Sequence, residues 1–208
     1  MDRQVDKSHY AFSAYMDKQR WASVWHQLDE VLRLRPESVL EIGLGTGLFK
    51  AAAGAFGLDV KTLDIARDLN PDYVGPADAI PLSDKSMDVV CAFQVLEHMP
   101  FDVSLKALGE MERVARKAVV ISLPDAKVVW PSTVKIPLLK THRLTLPHPL
   151  FRPKDHVFDG EHYWEINKRG YSLDRVMSAM HDVFPGYQIR TYRVHENPYH
   201  RFFVLMPE

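Results

Sequence analysis

Apolar positions along this chain follow two periods. Near the start they recur four, three and four residues apart, at Trp21, Trp25, Leu28 and Leu32. That spacing makes one stripe of a helix, and Pro36 stops it. From residue 38 short apolar runs alternate with helical patterns. "SVLEIGL" reads as a buried strand, "GLFKAAAGAFG" as a helix opening in glycines, and "DVKTLDIA" as a second strand. "YVGPADAI" holds a short third strand, "MDVVCAFQVL" a fourth and "AVVISLP" a fifth. Between the last two lies the helix "PFDVSLKALGEMERVARK", with Pro100 at its start and a basic end that suits its dipole. Continuously apolar strands alternating with helices predict a parallel sheet covered on both faces.

The rhythm breaks between about Pro124 and Gly160. Pro131, Pro137, Pro147, Pro149 and Pro153 fall there, with Lys127, Lys135, Lys140, Arg143, Arg152 and Lys154. The stretch follows a strand end, where open α/β sheets place ligands. It is expected to be an irregular insertion or lid over 125–160. Alternation then resumes. "YSLDRVMSAMHDVF" is a helix capped by Ser172, and "YQIRTYRV" and "HRFFVLMPE" are strands. Only "HENPY" separates those strands, too little for a crossover, so they should pair antiparallel. The expected organisation is a single domain over 1–208, with residues 1–36 as an N-terminal helical extension. Within that extension Tyr10, Phe12 and Tyr15 are candidates to gate a substrate, against a purely structural role.

Composition narrows the classes. The 208 residues are 46% hydrophobic and carry a formal net charge of −1. A sizeable core is affordable, and the charge gives no reason to expect nucleic acid or an anionic membrane as partner. No run is long enough to span a bilayer, and "MDRQVDKSHY" lacks the apolar centre of a signal peptide. The single cysteine, Cys91, excludes an internal disulfide and fits a reducing, cytoplasmic location. Its place in an apolar strand makes it a small core residue rather than a nucleophile. His142, His148, His156 and His162 are irregularly spaced with prolines among them, and no Cys/His pairing occurs, so no metal is expected.

The chemistry concentrates in "VLEIGLGTGLFK". Gly43, Gly45 and Gly47 alternate between a strand and a helix. Glycine lets the main chain turn sharply and lets a ligand approach where a Cβ would stand. The helix behind offers free N–H groups to a carboxylate or phosphate. The dinucleotide fingerprint G-x-G-x-x-G does not fit, because Leu48 occupies its third glycine. The run is acidic-x-Gly-x-Gly-x-Gly from Glu41. It resembles the first motif of class I S-adenosylmethionine-dependent methyltransferases of the small-molecule type.

Further segments carry the same resemblance. Asp64 closes the second strand about 20 residues after the first glycine, where an acidic residue accepts from ribose hydroxyls. "GPADAIPLSDKSMDVV" resembles the family's adenine segment. Asp78 matches the acceptor of the adenine amino group, with the Ala79 backbone beside it and Ile65 against an adenine face. "FQVLEHM" resembles the family's fourth-strand ending, in which Gln94 and Val95 line the methionine portion. The counterpart of Glu41 helps hold the amino-acid end. "EHYWEINKRGYSLDRV" is similar to a later segment of such enzymes. The resemblance implies a Rossmann-like three-layer α/β fold, whose mostly parallel seven-stranded sheet has one antiparallel strand. It also implies S-adenosylmethionine as cofactor and a small-molecule methyl acceptor.

Methyl transfer by displacement at carbon needs alignment first, and a base only where the acceptor must lose a proton. His98 is therefore the candidate base or acceptor-orienting group, against a local hydrogen-bonded role. His162, Tyr163 and Trp164 are candidates to wall the acceptor pocket, against ordinary packing. Three competitors stay open at this level: a nicotinamide-dependent oxidoreductase, a cofactor-binding protein without turnover, and a methyltransferase acting on protein or RNA.

Overall fold

The computed structural model describes residues 12–135 and 141–208. The elements run α1 (Phe12–Tyr15), α2 (Lys18–Arg33), β1 (Val39–Ile42), α3 (Leu48–Ala55), β2 (Val60–Asp64), β3 (Tyr73–Val74), β4 (Met87–Phe93), α4 (Phe101–Val114), β5 (Ala115–Pro124), β6 (Val129–Lys135), β7 (Thr141–Pro147), α5 (Leu173–Val183), β8 (Tyr187–Arg193) and β9 (His200–Pro207). Seven strands form one sheet in the order β3-β2-β1-β4-β5-β9-β8. The first five pair in parallel, and β9 runs antiparallel to both β5 and β8. The Rossmann-like sheet with one reversed strand is as the motifs imply.

Strand alternation sorts the apolar side chains onto two faces. Val89 and Cys91 of β4 join Val39, with Val31 of α2 and Phe49 and Ala53 of α3. Val90 and Ala92 join Leu40, with Ala107, Leu108 and Met111 of α4 and Val176 and Met180 of α5. The sheet is thus the middle of three layers, and both its faces are dry. Each fully buried Val, Leu or Ile contributes roughly 1.5–3 kcal/mol relative to exposure. This explains why β4 reads as apolar throughout rather than as an alternation. Cys91 is buried in this core, and burial pushes its thiol well up, which suits a packing role.

The order of strands reverses beside β1, which has β2 on one side and β4 on the other. Open α/β sheets leave a crevice at such a point, outside the carboxyl ends of the strands.

Three expectations need correction. Trp21 and Trp25 are not on the buried face of α2; they are 54% and 56% exposed. The face that packs instead carries Ser23, Val24, Glu30 and Val31. Two of these are polar and find partners in the C-terminal part of the sheet: Ser23 Oγ accepts from Asn197 Nδ2 at 3.1 Å, and Glu30 Oε1 accepts from Arg190 at 3.1 Å. Leu28 and Leu32, the other half of the predicted stripe, are partly buried and pack against the cluster of Val31, Val39 and Phe49. The second correction concerns 125–160, which is not wholly irregular. Strands β6 and β7 form a separate two-stranded antiparallel ribbon. Its register puts Trp130, Val134, Leu144 and Leu146 on one face, all about half exposed. Its other face meets the β8–β9 turn, where Thr133 Oγ1 lies 3.1 Å from His195 Nε2 and Arg143 pairs with Glu196 at 3.0 Å. The third is smaller: α4 ends at Val114, so Arg116 and Lys117 belong to β5, where both pair with the buried Asp88.

The segment after β5 is tied down at its root. Asp125 is buried, and its carboxylate accepts from Arg201 Nε at 2.8 Å, Asn167 Nδ2 at 2.8 Å and Lys127 N at 3.0 Å, with Arg193 Nε 3.6 Å away.

Candidate functional site

The crevice at the switch point is a cavity of about 350 Å³. The carboxyl ends of β1, β2 and β4 contribute to its wall. Because β9 is reversed, its first residue, His200, lies opposite Pro124 at the same edge, so it contributes too.

Local geometry at β1 follows from the glycines. Gly43, Gly45 and Gly47 have φ of 78°, 52° and 71°, all in the left-handed region. A Cβ on Gly43 would stand 2.5 Å from Val95 Cγ2, so the close approach of the two loops needs glycine there. Gly43 N donates to Leu63 O at 2.9 Å and Gly47 N to Leu44 O at 2.8 Å, which pins the turn. Gly47 is the N-cap of α3. Asp64 braces the same loop: one carboxylate oxygen accepts from Leu44 N at 2.9 Å and the other from Ala66 N at 2.8 Å. Each oxygen keeps a second lone pair for a ligand hydroxyl.

The glycine loop and the later motifs share one wall. Glu41, Gly43, Gly45, Asp64, Ile65, Asp78, Gln94, Val95 and His98 all line the cavity. Gly47 and Ala79 do not. Gly47 shapes the helix start, and Ala79 N is turned to Pro76 O at 3.3 Å. The loop bearing Asp78 is locked from behind by α4. Glu110 accepts from Ile80 N at 2.9 Å, and Arg113 donates to Ile80 O at 3.0 Å and Leu82 O at 2.8 Å. Gln94 has φ of 57°, and its Nε2 donates to Ser122 Oγ at 3.2 Å.

Glu41 is nearly buried, and its Oε2 has no hydrogen-bond partner among the described residues. Burial pushes its pKa up to about 8. An uncompensated carboxyl at a ligand cavity fits a ligand carrying an ammonium group. Together with the bare main chain and the downstream carboxylates, it passes the test for an adenosyl amino acid.

The far side is rich in imidazole. His98 Nδ1 lies 3.0 Å from Glu161 O, and His162 Nδ1 lies 3.0 Å from Glu165 Oε1, which also accepts from Tyr199 OH at 2.9 Å. The His98 and His162 rings meet edge to face at 5.0 Å. Burial works against a charged His162, yet the bond to Glu165 and the nearby carboxylates raise its pKa overall. Burial takes Glu97, behind them, up to about 8. His200 is buried and lowered to about 4 by that burial, so it is neutral near pH 7.

The wall also contains residues that sequence reasoning missed. Arg20, Val24 and Gln27 of α2 contribute, as do Glu161, Tyr199 and His200. Glu161 opens the segment "EHYWEINKRGYSLDRV", which by itself marks no role for it; no motif marks the others, which the docking of α2 and the reversal of β9 bring in. Tyr15 lines the cavity, with Arg20 stacked 3.9 Å over its ring. Phe12 is 78% exposed and does not line it, and Tyr10 lies outside the described residues. Of the three expected wall residues only His162 takes part. Trp164 is buried in the core against Phe101 at 4.9 Å, and Tyr163 faces outward.

The fold is a Rossmann-like domain, and the cavity at its glycine loop fits an adenosyl amino acid. Residues 40–123, from β1 through nearly all of β5, match the Methyltransferase domain family. That match supports a class I S-adenosylmethionine-dependent methyltransferase, with S-adenosylmethionine as the cofactor it indicates. No curated protein matches the chain in sequence. Solved structures share the fold. A SAM-dependent methyltransferase from Aquifex aeolicus is 16% identical, covering 98% of this chain and 100% of its own, with a TM-score of 0.60. The 1,6-didemethyltoxoflavin-N1-methyltransferase of Burkholderia thailandensis, solved with its substrate and S-adenosylhomocysteine, is 13% identical over 97% of this chain and 85% of its own, at 0.61. The glycopeptide N-methyltransferase MtfA with sinefungin is 12% identical over 93% and 95%, at 0.59. Among the described residues no helix is long and apolar enough to cross a membrane.

Proposed function

We propose that this chain transfers a methyl group from S-adenosylmethionine to oxygen, nitrogen or carbon of a small molecule. The observation that carries the acceptor reading is that the chain's own Tyr15, Arg20 and Tyr199 line the same cavity as the motif residues. A concave site of about 350 Å³ suits a small ligand better than a polymer. Two neighbours of the same fold, one acting on a small heterocycle and one on a glycopeptide, agree with it.

The bound cofactor supplies an electrophilic methyl on a sulfonium. The chain's residues do the rest. Asp64 accepts from ribose hydroxyls, Asp78 and Ile65 hold the adenine, and the glycine main chain with Glu41 holds the amino-acid end. Gln94 and Val95 keep the reacting end in place. His98 and His162 face the acceptor and orient it or draw its proton, which is where alignment yields rate.

Radiolabelled S-adenosylmethionine incubated with the protein and a metabolite extract tests this. Label in low-mass products is the expected result. Label confined to protein or RNA would move the acceptor class, and tight cofactor binding without transfer would leave a binding protein. His98→Ala should lower turnover far more than S-adenosylhomocysteine affinity; equal turnover returns His98 to a local structural role.

A further inference from the structure

We infer that Glu97, His98 and His162 form a binding site for one divalent transition-metal cation, open toward the cavity. Glu97 is fully buried, and neither of its carboxylate oxygens has a hydrogen-bond partner among the described residues. A carboxylate left so is costly unless something cationic meets it. One ligand atom from each of Glu97, His98 and His162 lies within 4.8 Å of the other two. Ligand atoms around one cation stand roughly 3 Å apart, so side-chain rotation closes the set.

The imidazoles are held as ligands usually are. Glu161 O can only accept, so His98 carries its proton on Nδ1, which directs the lone pair to Nε2. His162 Nδ1 is matched to Glu165, itself fixed by Tyr199, and its Nε2 is likewise the basic nitrogen. A carboxylate or carbonyl behind each ring is the common outer support of a metal-bound histidine. The two segments are pinned together by Tyr163 N donating to Glu97 O at 2.8 Å. A neighbouring set, Asp159, His162 and Glu165, is equally close. There, however, Asp159 Oδ1 already accepts from two main-chain N–H groups, and Glu165 Oε1 from Tyr199 and His162. The unpartnered Glu97 favours the first set.

Two imidazoles and one carboxylate suit Zn²⁺, Co²⁺, Mn²⁺ or Fe²⁺ rather than Mg²⁺ or Ca²⁺, which prefer oxygen. His98 and His162 line the cavity, so remaining positions on the ion face it. What the ion then does rests on the methyl-transfer reading: it would take an oxygen or nitrogen of the acceptor and make it easier to deprotonate. The existence of the site does not rest on that reading. Histidine spacing alone argued against a metal, because the ligands are a Glu–His pair and a histidine far along the chain.

The test uses chelator-treated full-length protein titrated with Co²⁺. Expected are one Co²⁺ per chain at micromolar affinity or tighter, visible ligand-field bands, displacement by Zn²⁺ and none by millimolar Mg²⁺. Proton NMR of the cobalt form should show two hyperfine-shifted, exchangeable imidazole N–H signals. Glu97→Gln and His162→Gln should each weaken Co²⁺ by about tenfold or more. Absence of stoichiometric binding by the folded protein, fewer than two shifted N–H signals, or unchanged affinity in both variants would overturn the site. S-Adenosylhomocysteine binding is measured on the same samples. Cobalt bound without it keeps the metal site and sinks the methyl-transfer reading; the reverse result does the opposite.

Discussion

Gly43→Ala is the substitution most sharply constrained by the geometry. Two costs add. An alanine at φ of 78° pays about 1–2 kcal/mol for the left-handed conformation. Its Cβ would also sit 2.5 Å from Val95 Cγ2, 3.3 Å from Cγ1 and 3.5 Å from Cβ. Rotating Val95 exchanges one close methyl for another, and a β-branched side chain is stiff at χ1. Relief therefore needs main-chain movement, at roughly 1–3 kcal/mol for an overpacked site. The total is about 2–5 kcal/mol. Urea denaturation of wild type, Gly43→Ala, Val95→Ala and the double variant measures it as a cycle. Val95→Ala should recover the steric part in the Gly43→Ala background, a coupling of about 1–3 kcal/mol, and leave the conformational part behind. S-Adenosylhomocysteine affinity should fall in Gly43→Ala and recover partly in the double variant. A neutral Gly43→Ala, or strictly additive variants, would refute the claim that the two loops meet this closely.

Further outcomes are expected. Asp64→Ala removes an acceptor from the ribose and also the brace on Leu44 N and Ala66 N, so calorimetry should show cofactor affinity reduced by roughly 1.5–3 kcal/mol; unchanged affinity rejects the ribose role. Glu41 is raised in the fold from 4.5 to about 8, so its stabilising contribution is complete below 4.5 and is lost as pH rises through 8. At pH 7 it holds its proton, and an ammonium beside it should expel that proton. Binding of S-adenosylhomocysteine should thus release a proton, measured in buffers of different ionisation enthalpy, and Glu41→Gln should abolish the release; equal release in both proteins disproves the contact. Asp125→Ala strands Arg201 and the poorly exposed Arg193 without their shared carboxylate, and chemical denaturation should show a loss of about 3–5 kcal/mol. A loss below about 1 kcal/mol would mean those arginines reach solvent instead.

How much could be read from the chain differs by region, and the reasons are physical. The parallel strands were legible because burial on both faces leaves an unbroken apolar run, as in "MDVVCAF". Ser172 was legible as a cap because its hydroxyl serves the third following N–H, here Arg175 N at 3.2 Å. The ribbon of β6 and β7 was not. It stands apart from the main sheet and is exposed over most of its length, so burial imposed no pattern on its sequence, and prolines at Pro131 and Pro147 are tolerated in so small a ribbon. The tryptophan stripe of α2 misled because periodicity shows only that a helix has an apolar side. The packed side holds Leu28, Val31 and Leu32 of that helix, and distant Asn197 and Arg190 meet its polar Ser23 and Glu30.

By itself the sequence determined where glycines and carboxylates gather for the proposed cofactor half of the site. A tight turn that admits a ligand demands glycine, and on the proposed reading ribose and adenine call for carboxylates after the strands, so those needs are written locally as "EIGLGTG", Asp64 and Asp78. Only tertiary structure decided the other half. Tyr15 from α1 and Arg20 from α2, His162 from beyond the ribbon, and His200 from a reversed strand share one cavity because of how layers pack and which strand lies beside which. Contacts between distant segments leave no spacing in the chain, and so the grouping of Glu97, His98 and His162 emerged only when the chain was folded.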